Sequence, residues 1–482
     1  MYYKRFIHFG RVLCLCLFAS NSWCAAPIFQ MLNSYNSGGY NASWVALADV
    51  NGDGKLDLIV ANSCATSDTC SDGGTVGVLV GNGDGSFQPV HTYKSGGLYA
   101  TWVGVHDLNG DGKDDLLVAN RSMGDGGVGG IGILFGNGDG TFKPAVTFAS
   151  EGSPVYGAAV ADFNHDSIPD IAVANWQDQN WPYYGTVSIL LGMGGGNFQA
   201  AQTYGYFYWA QSVVAADVNG DGAADLLVGS DRFVSVLLGV GDGTFQPATS
   251  FRSGGHEGCW VAVADVNGDG KLDLVAANQF GPDGFGGSTI GVLLGNGDGS
   301  FQSATRYWTA GGGSLAVADL NRDSNPDILV PGDKLVAFWG QGDGTFRRAP
   351  FMPFYRGAIA VGDVDEDTRP DAVQVVNDQV NVLRNVIPFA TTIELTSNVN
   401  PARYGEPITF TANVTPSGPY EATGKVTFRD GTKAIGSATL RDGVATLTKS
   451  NFTIGTHPIT SFYKGDVNSG KSTSSIWDQV VQ

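Results

Sequence analysis

One pattern recurs along the chain: an apolar stretch, then Asp-x-Asn-x-Asp-x-x-x-Asp, then a second apolar stretch. Its copies begin at Asp49, Asp107, Asp162, Asp217, Asp265, Asp319 and Asp363, with Asp365 replacing Asn in the last. Successive copies are 58, 55, 55, 48, 54 and 44 residues apart. Such spacing marks a structural repeat in which each copy is one small supersecondary unit. A second motif, Gly-x-Gly-Asp-Gly-Ser/Thr-Phe or a near variant, follows each of the first six copies and ends at Phe87, Phe142, Phe198, Phe245, Phe301 and Phe346. These phenylalanines precede the next acidic motif by 20, 20, 19, 20, 18 and 17 residues.

The seventh copy stops near Asn385 without this ending, yet Phe29-Gln30 stands 20 residues before Asp49, where the missing ending belongs. The N-terminus is therefore expected to supply the last strand of the final repeat and close a ring. Each repeat should hold four strands, in the first copy Val45–Ala48, Leu56–Ala61, Val76–Val80 and Phe87–Thr92. One small sheet cannot bury both faces, whereas seven stacked radially can, leaving short protected edges. The expected fold over residues 27–388 is thus all-β, a seven-bladed β-propeller. Seventy glycines and a charged fraction of 15% suit short strands and tight turns better than helices.

Acids outnumber bases 46 to 27, giving a net charge of −19. That balance argues against nucleic acid as a partner and suits a cation-binding protein. Lys4, Arg5 and Arg11 precede the apolar run Val12–Ala19, and small residues follow at Ser22–Ala26, the order of a secretory signal peptide over residues 1–26. The run is far shorter than the roughly 20 residues that span a bilayer, so no membrane span is expected. The mature chain is expected to be secreted or displayed on a cell surface through bacterial-type export. Cys64 and Cys70 lie in one loop and could pair in an oxidising compartment, leaving Cys259 alone.

Repeats such as Val261-Ala-Val-Ala-Asp-Val-Asn-Gly-Asp-Gly-Lys-Leu-Asp-Leu-Val resemble the FG-GAP/VCBS repeats of integrin-α-like propellers over about three quarters of the chain. The second half of each repeat reads Gly-Asn-Gly-Asp-Gly-Ser-Phe-Gln rather than a literal Phe-Gly…Gly-Ala-Pro, as in the bacterial variant. The resemblance implies propeller blades whose acidic loops bind calcium. The chemistry agrees. Calcium takes six to eight oxygens, and side chains at positions 1, 3, 5 and 9 of a curled loop, with a carbonyl at 7, could supply them.

The candidate ligands are Asp49, Asn51, Asp53, Lys55 and Asp57 in loop one, and Asp107, Asn109, Asp111, Lys113 and Asp115 in loop two. Loop three offers Asp162, Asn164, Asp166, Ile168 and Asp170, and loop four Asp217, Asn219, Asp221, Ala223 and Asp225. Loop five offers Asp265, Asn267, Asp269, Lys271 and Asp273, and loop six Asp319, Asn321, Asp323, Asn325 and Asp327. Loop seven offers Asp363, Asp365, Asp367, Arg369 and Asp371. The position-7 residues contribute their carbonyls, so up to seven Ca2+ are expected, one per blade. An EF-hand would need an acid at position 12, where Val60 and Ala276 stand inside β-rich runs. Acidic turns that hold no metal remain the alternative, since turns favour Asp and Asn anyway. Loops one, two, four and five have Gly at position 6, where a positive φ is expected; Ser167, Ser324 and Thr368 stand there in the others.

The acidic loops and the Gly-Asp-Gly turns should share one end of the ring. Long second-to-third-strand connections, Asn62–Thr75, Asn120–Gly130, Asn175–Gly185 and Asn278–Ser288, belong to the other. Insertions confined to one end of a rigid scaffold are common binding sites. Aromatics gather there: Trp176, Trp181, Tyr183, Tyr184, Tyr206, Phe207, Tyr208, Trp209 and Trp308. Exposed rings suit sugars or protein hot spots. Trp44, Trp102 and Trp260 recur five residues before their acidic motifs and are expected to pack between blades.

Residues 389–482 lack the acidic repeat and alternate in the manner of a β-sandwich, with strands expected at Ile393–Leu395, Ile408–Val414, Lys425–Phe428, Ala445–Thr448 and Pro458–Tyr463. The runs Gly424-Lys-Val-Thr-Phe-Arg-Asp-Gly, Gly455-Thr-His-Pro-Ile-Thr and Tyr463-Lys-Gly-Asp resemble bacterial immunoglobulin-like domains of group 3. No Gly-x-Ser-x-Gly, His-Glu-x-x-His or phosphate-binding loop is present. The leading expectation is a non-enzymatic binding or adhesion protein for an extracellular glycan or protein. A polysaccharide-degrading enzyme using the loop-rich end is the alternative.

Overall fold

In a computed structural model, the residues described are 28–66, 70–124, 127–177, 184–282, 284, 286–309, 311–350, 352 and 357–482. The expected signal segment 1–26, Trp181 and Tyr183 lie outside them. The described chain is all-β, with no helix among those residues.

Seven antiparallel sheets of four strands follow one another. In blade one the strands are Tyr40–Ala48, Asp57–Cys64, Thr75–Leu79 and His91–Lys94, ordered from the inside outward. The second and third strands are apolar on both faces, because each blade is covered by a neighbour on either side. Seven hydrophobic clusters fill the seven seams, each drawn from two successive blades. Val50, Ile59 and Val78 of blade one, for example, pack on Val103, Leu116 and Leu134 of blade two. The innermost strands also meet in sequence, and Ile359–Gly362 of blade seven returns to Tyr40–Ala48 of blade one. The ring is closed.

The closure is the one the spacing implied. Phe29–Asn36 is the outermost strand of blade seven, paired with Gln379–Asn385, with Phe29 opposite Asn385 and Tyr35 opposite Val380. One expectation is corrected. The outer strand of blade one begins at His91 rather than Phe87. Phe87 instead forms an isolated bridge to Gly81, and its buried ring meets Tyr35 of the neighbouring blade edge-on at 5.6 Å. The glycine-rich turn closes so tightly that the Phe serves as a plug under the hairpin before strand pairing starts.

The last strand of the propeller ends at Asn385, and Thr391–Ser397 opens a sandwich. Its sheets are Thr391–Ser397, Ile408–Pro416 and Val444–Lys449 on one side, and Lys433–Thr439, Lys425–Asp430, Gly455–Tyr463 and Ser472–Thr473 on the other, with Trp477–Val481 paired to Gly455–Tyr463. Phe410, Phe428, Ile459 and Tyr463 fill the space between. The junction is ordered by aromatic and cationic contacts. Phe389 is 2% exposed and lies under the guanidinium of Arg322, 3.5 Å from the ring centre, and Arg322 donates to the Ile387 carbonyl at 3.1 Å. Arg369 stands 5.3 Å from Phe389 and 5.6 Å from Tyr420.

Candidate metal loops and ligand face

The acidic loops connect the first and second strands of each blade and share one backbone geometry. In loop one, Asp49 accepts the amides of Gly52, Asp53 and Gly54 at 2.8, 3.1 and 2.7 Å. Asn51 accepts Asp53 N at 2.9 Å, and Asp53 accepts Lys55 N at 3.0 Å. The loop therefore curls around its own side-chain oxygens. Positions 4 and 6 are left-handed in all seven copies, from Gly52 and Gly54 (φ 74° and 83°) to Glu366 and Thr368 (φ 55° and 67°). His165, Ser167, Arg322 and Ser324 hold this conformation without being glycine, which costs roughly 1–2 kcal/mol each. The substitutions in loops three, six and seven thus leave the loop path unchanged.

The aspartate at position 9 behaves differently from the others. Asp57, Asp115, Asp170, Asp225, Asp273 and Asp327 are fully buried. Asp57 accepts Val50 N at 3.0 Å and Gly81 N at 2.7 Å, tying the acidic loop to the first glycine of the Gly-Asn-Gly-Asp-Gly turn. The same pair of bonds recurs in every blade, as at Asp273 with Val266 and Gly295. In blade seven Asp371 accepts Asn385 N at 2.7 Å, so Asn385 replaces the glycine just as Phe29 replaces the phenylalanine. Burial pushes the carboxyl of Asp57 up to about 6 and those of Asp327 and Asp371 up to about 7, against the opposing pull of these amides.

The Gly-Asp-Gly turns lie at the same end and clasp the neighbouring blade. Gly140 of blade two donates to the Val50 carbonyl in loop one, Gly243 of blade four to Phe163 in loop three, and Gly299 of blade five to Val218 in loop four. Gly85 of blade one reaches Val364 in loop seven at 3.0 Å.

Loop seven stands apart. Among the described residues, the carboxylates of Asp363, Asp365 and Asp371 are the one trio of such side chains whose oxygens lie within 4.8 Å of one another. Asp367 is turned aside: Arg369 Nε donates to it at 2.8 Å and Arg384 Nη2 at 3.0 Å, while Arg384 Nε also reaches Asp365 at 2.8 Å. In loops one to six the position-1, -5 and -9 carboxylates do not converge so closely. Their donor sets are nonetheless all hard oxygens on a fixed turn, which fits a Ca2+ ion. Arg384 was not legible as a competitor for Asp367, because it lies 17 residues beyond it in sequence.

The aromatic expectation divides. The rings of Tyr184 and Tyr208 lie 4.7 Å apart, tilted by 45°, and share a hydrogen bond between hydroxyls at 2.9 Å, and Tyr206 meets Tyr184 edge-on at 6.5 Å. Tyr206 is 68% and Tyr208 51% exposed. Trp176 and Trp209 form a second, half-buried pair at 5.9 Å. Phe207 is a correction: it is buried among Ala174, Val187 and Val213, because it points to the opposite side of its strand from its exposed neighbours. Trp308 belongs to another place, on the outer strand of blade five. Trp44 and Trp260 stack at 4.7 Å although blades one and five are not neighbours, so their contact spans the central channel. With Trp102 and His106 they line a cavity of about 290 Å3. The structure joins Cys64 to Cys70, and Cys259 is a buried free thiol that burial pushes up to about 12.

Residues 49–118, 107–173, 175–228 and 217–276 match the FG-GAP-like repeat, 260–293 match the FG-GAP repeat, and 395–482 match the bacterial Ig-like domain (group 3). The chain belongs to the FG-GAP repeat proteins and carries a C-terminal bacterial Ig-like domain. Its curated relatives include the phosphatidylinositol-glycan-specific phospholipase D of Bos taurus, 31% identical over 148 residues, and that of Homo sapiens, 29% identical over 152. The match takes in 26% of this chain and 17% of either enzyme's length. Among solved structures, an Agrocybe aegerita lectin described as recognising non-reducing terminal N-acetylglucosamine aligns with TM-score 0.45 at 18% identity, over 84% of this chain and 99% of the lectin. FG-GAP repeats and propeller-like architecture fit a binding module, and repeats of this kind are typical of extracellular proteins. No helix of the described residues is long and apolar enough to cross a membrane.

Proposed function

We propose that this protein is an exported, non-enzymatic binding module whose propeller is stabilised by calcium and whose aromatic end holds a carbohydrate or protein ligand. The observation that carries the ligand reading is the cluster of exposed Tyr206 and Tyr208 on half-buried Tyr184, joined by ring contacts and a hydrogen bond between hydroxyls. Tyrosines offer large contact area with few rotors to immobilise and a hydroxyl at the edge. The calcium reading rests on the loops. Seven copies keep side-chain oxygens at positions 1, 3, 5 and 9 and the same left-handed turn, even where non-glycine residues must adopt it. In the proposed holo protein the position-1, -3, -5 and -9 side chains and the position-7 carbonyl hold the ion, and it neutralises the acids around it. The position-9 carboxylate also fastens the loop to its own blade through the two amides it accepts.

A glycan array read in parallel with reducing-end and unsaturated-product assays tests the function. Binding without turnover, lost in a Tyr206→Ala/Tyr208→Ala variant, is the expected result. New sugar ends would establish a degrading enzyme instead, and binding that survives the double substitution would move the ligand elsewhere.

A further inference from the structure

A separate groove of about 500 Å3 lies at the outer seam of blades four and five. Arg232, Arg252 and Arg306 line it, and no Asp or Glu does among the described residues. Arg232 is paired with Asp231 at 3.4 Å, which leaves Arg252 and Arg306 as a local reversal of sign in a chain with 46 acids and 27 bases.

The backbone assembles the three cations. Arg252 sits opposite Phe233 in the sheet, its guanidinium 5.6 Å from that ring, and the Ser253 amide donates to the Arg232 carbonyl at 2.8 Å. Arg306 comes from the next blade. Its stem lies over Gly254, whose left-handed φ of 89° and missing side chain leave the room; a Cβ there would stand 2.9 Å from Arg306 Cγ. Two residues along the same exposed strand face, the Trp308 indole rests against Gly281 and is 54% exposed.

The repeat supplies an internal control. Gly38 and Gly96 follow the same Ser and have the same φ, 84° and 89°. The residues that lie over them are Thr92 and Thr147, not arginine. Two sister positions pack with a threonine, so packing alone does not call for an arginine at position 306.

We propose that this groove binds an anionic saccharide, with the guanidiniums gripping a carboxylate or sulfate and Trp308 stacking on the sugar face. Guanidinium forks match planar oxyanions in two-point contact, and a ring beside them covers the apolar face of a pyranose. The groove has the volume of a small-molecule site. This reading does not rest on the tyrosine cluster.

Calorimetric titration of the full chain at fixed excess calcium tests it, with an oligogalacturonate as the carboxylate probe and a heparin-derived oligosaccharide as the sulfate probe. At least one binds, and its affinity falls steeply with added salt. Arg306→Ala and Trp308→Ala each weaken it about tenfold or more, the equivalent of one strong contact, with an unchanged melting temperature because these side chains are exposed. Tyr206→Ala leaves it intact, so this site and the one proposed above fail separately. The proposal is overturned if neither probe binds, if an Arg252→Ala/Arg306→Ala variant binds as the parent does, or if a neutral cello-oligosaccharide or polyglutamate binds equally well.

Discussion

Trp44 of blade one and Trp260 of blade five lie face to face at 4.7 Å, inclined by 26°, across the channel of the ring. Both belong to innermost strands that share no seam, so the pair braces the ring along a chord rather than around its circumference. Stacked aromatic pairs contribute roughly 0.5–1.5 kcal/mol beyond the area they bury. A double-mutant cycle of Trp44→Ala and Trp260→Ala, measured by urea unfolding in saturating calcium, should return a coupling of about 1 kcal/mol. Additive losses would mean that the rings touch without bracing anything.

The acidic loops should separate into two kinds of aspartate. Asp269, at position 5, is exposed and proposed to act through the ion, so Asp269→Asn lowers the melting temperature in calcium and leaves it unchanged in chelator. Asp273, at position 9, is buried and accepts the Val266 and Gly295 amides. Asp273→Asn should therefore cost about 1–3 kcal/mol even in chelator, the toll of leaving a buried amide poorly paired. For the parent chain, calcium raises the melting temperature as any ligand of the folded state does. Scanning calorimetry with and without chelator reads all three, and identical melting in both conditions would remove calcium from the account.

Phe389 fastens the Ig-like domain to blades six and seven through Arg322 and Arg369. Phe389→Ala removes the ring that both guanidiniums face and uncovers part of the junction. The expected outcome is a parent that melts in one transition and a variant that melts in two, with limited proteolysis newly cutting near residue 388. A variant that melts as the parent does would show that the domains hold together by other contacts.

His457 gives the Ig-like domain a pH signature. Burial disfavours its charge, but the Thr453 carbonyl and the Asp430 carboxylate, 2.6 Å from Nδ1, outweigh that and hold its pKa above the usual value. A histidine whose folded pKa is raised contributes stability fully below its unfolded pKa, near 6.5, and loses it as pH climbs through the folded value. The melting gap between the parent and His457→Gln should be wider at pH about 5.5 than at pH about 8.5. A gap that grows with pH would reverse the assignment.

The ring was legible because its signals are arithmetic. The spacing of Phe29 before Asp49 placed the closing strand, and the register Phe29 to Asn385 is the result. The second task of position 9 was not legible: Asp57 accepts the Gly81 amide, 24 residues further along the chain, and nothing in sequence marks that contact. Phe207 misled for a related reason: aromatic clustering in sequence says nothing about which side of a strand each ring takes, and Phe207 is buried between exposed Tyr206 and Tyr208. Arg384 was hidden by distance along the chain. A contact between Arg384 and Asp367 exists only after the third strand of blade seven has folded back.

The pairing of Phe29–Asn36 with Gln379–Asn385 also sets the order of events in biogenesis. This strand is made before all the others of the ring and finds its neighbour last, after about 340 intervening residues. Until then six sheets can form, but none of them can seal the first one's flank. Contacts this remote in sequence are slow to form, and a truncated nascent chain would carry a naked strand ready to pair with another molecule.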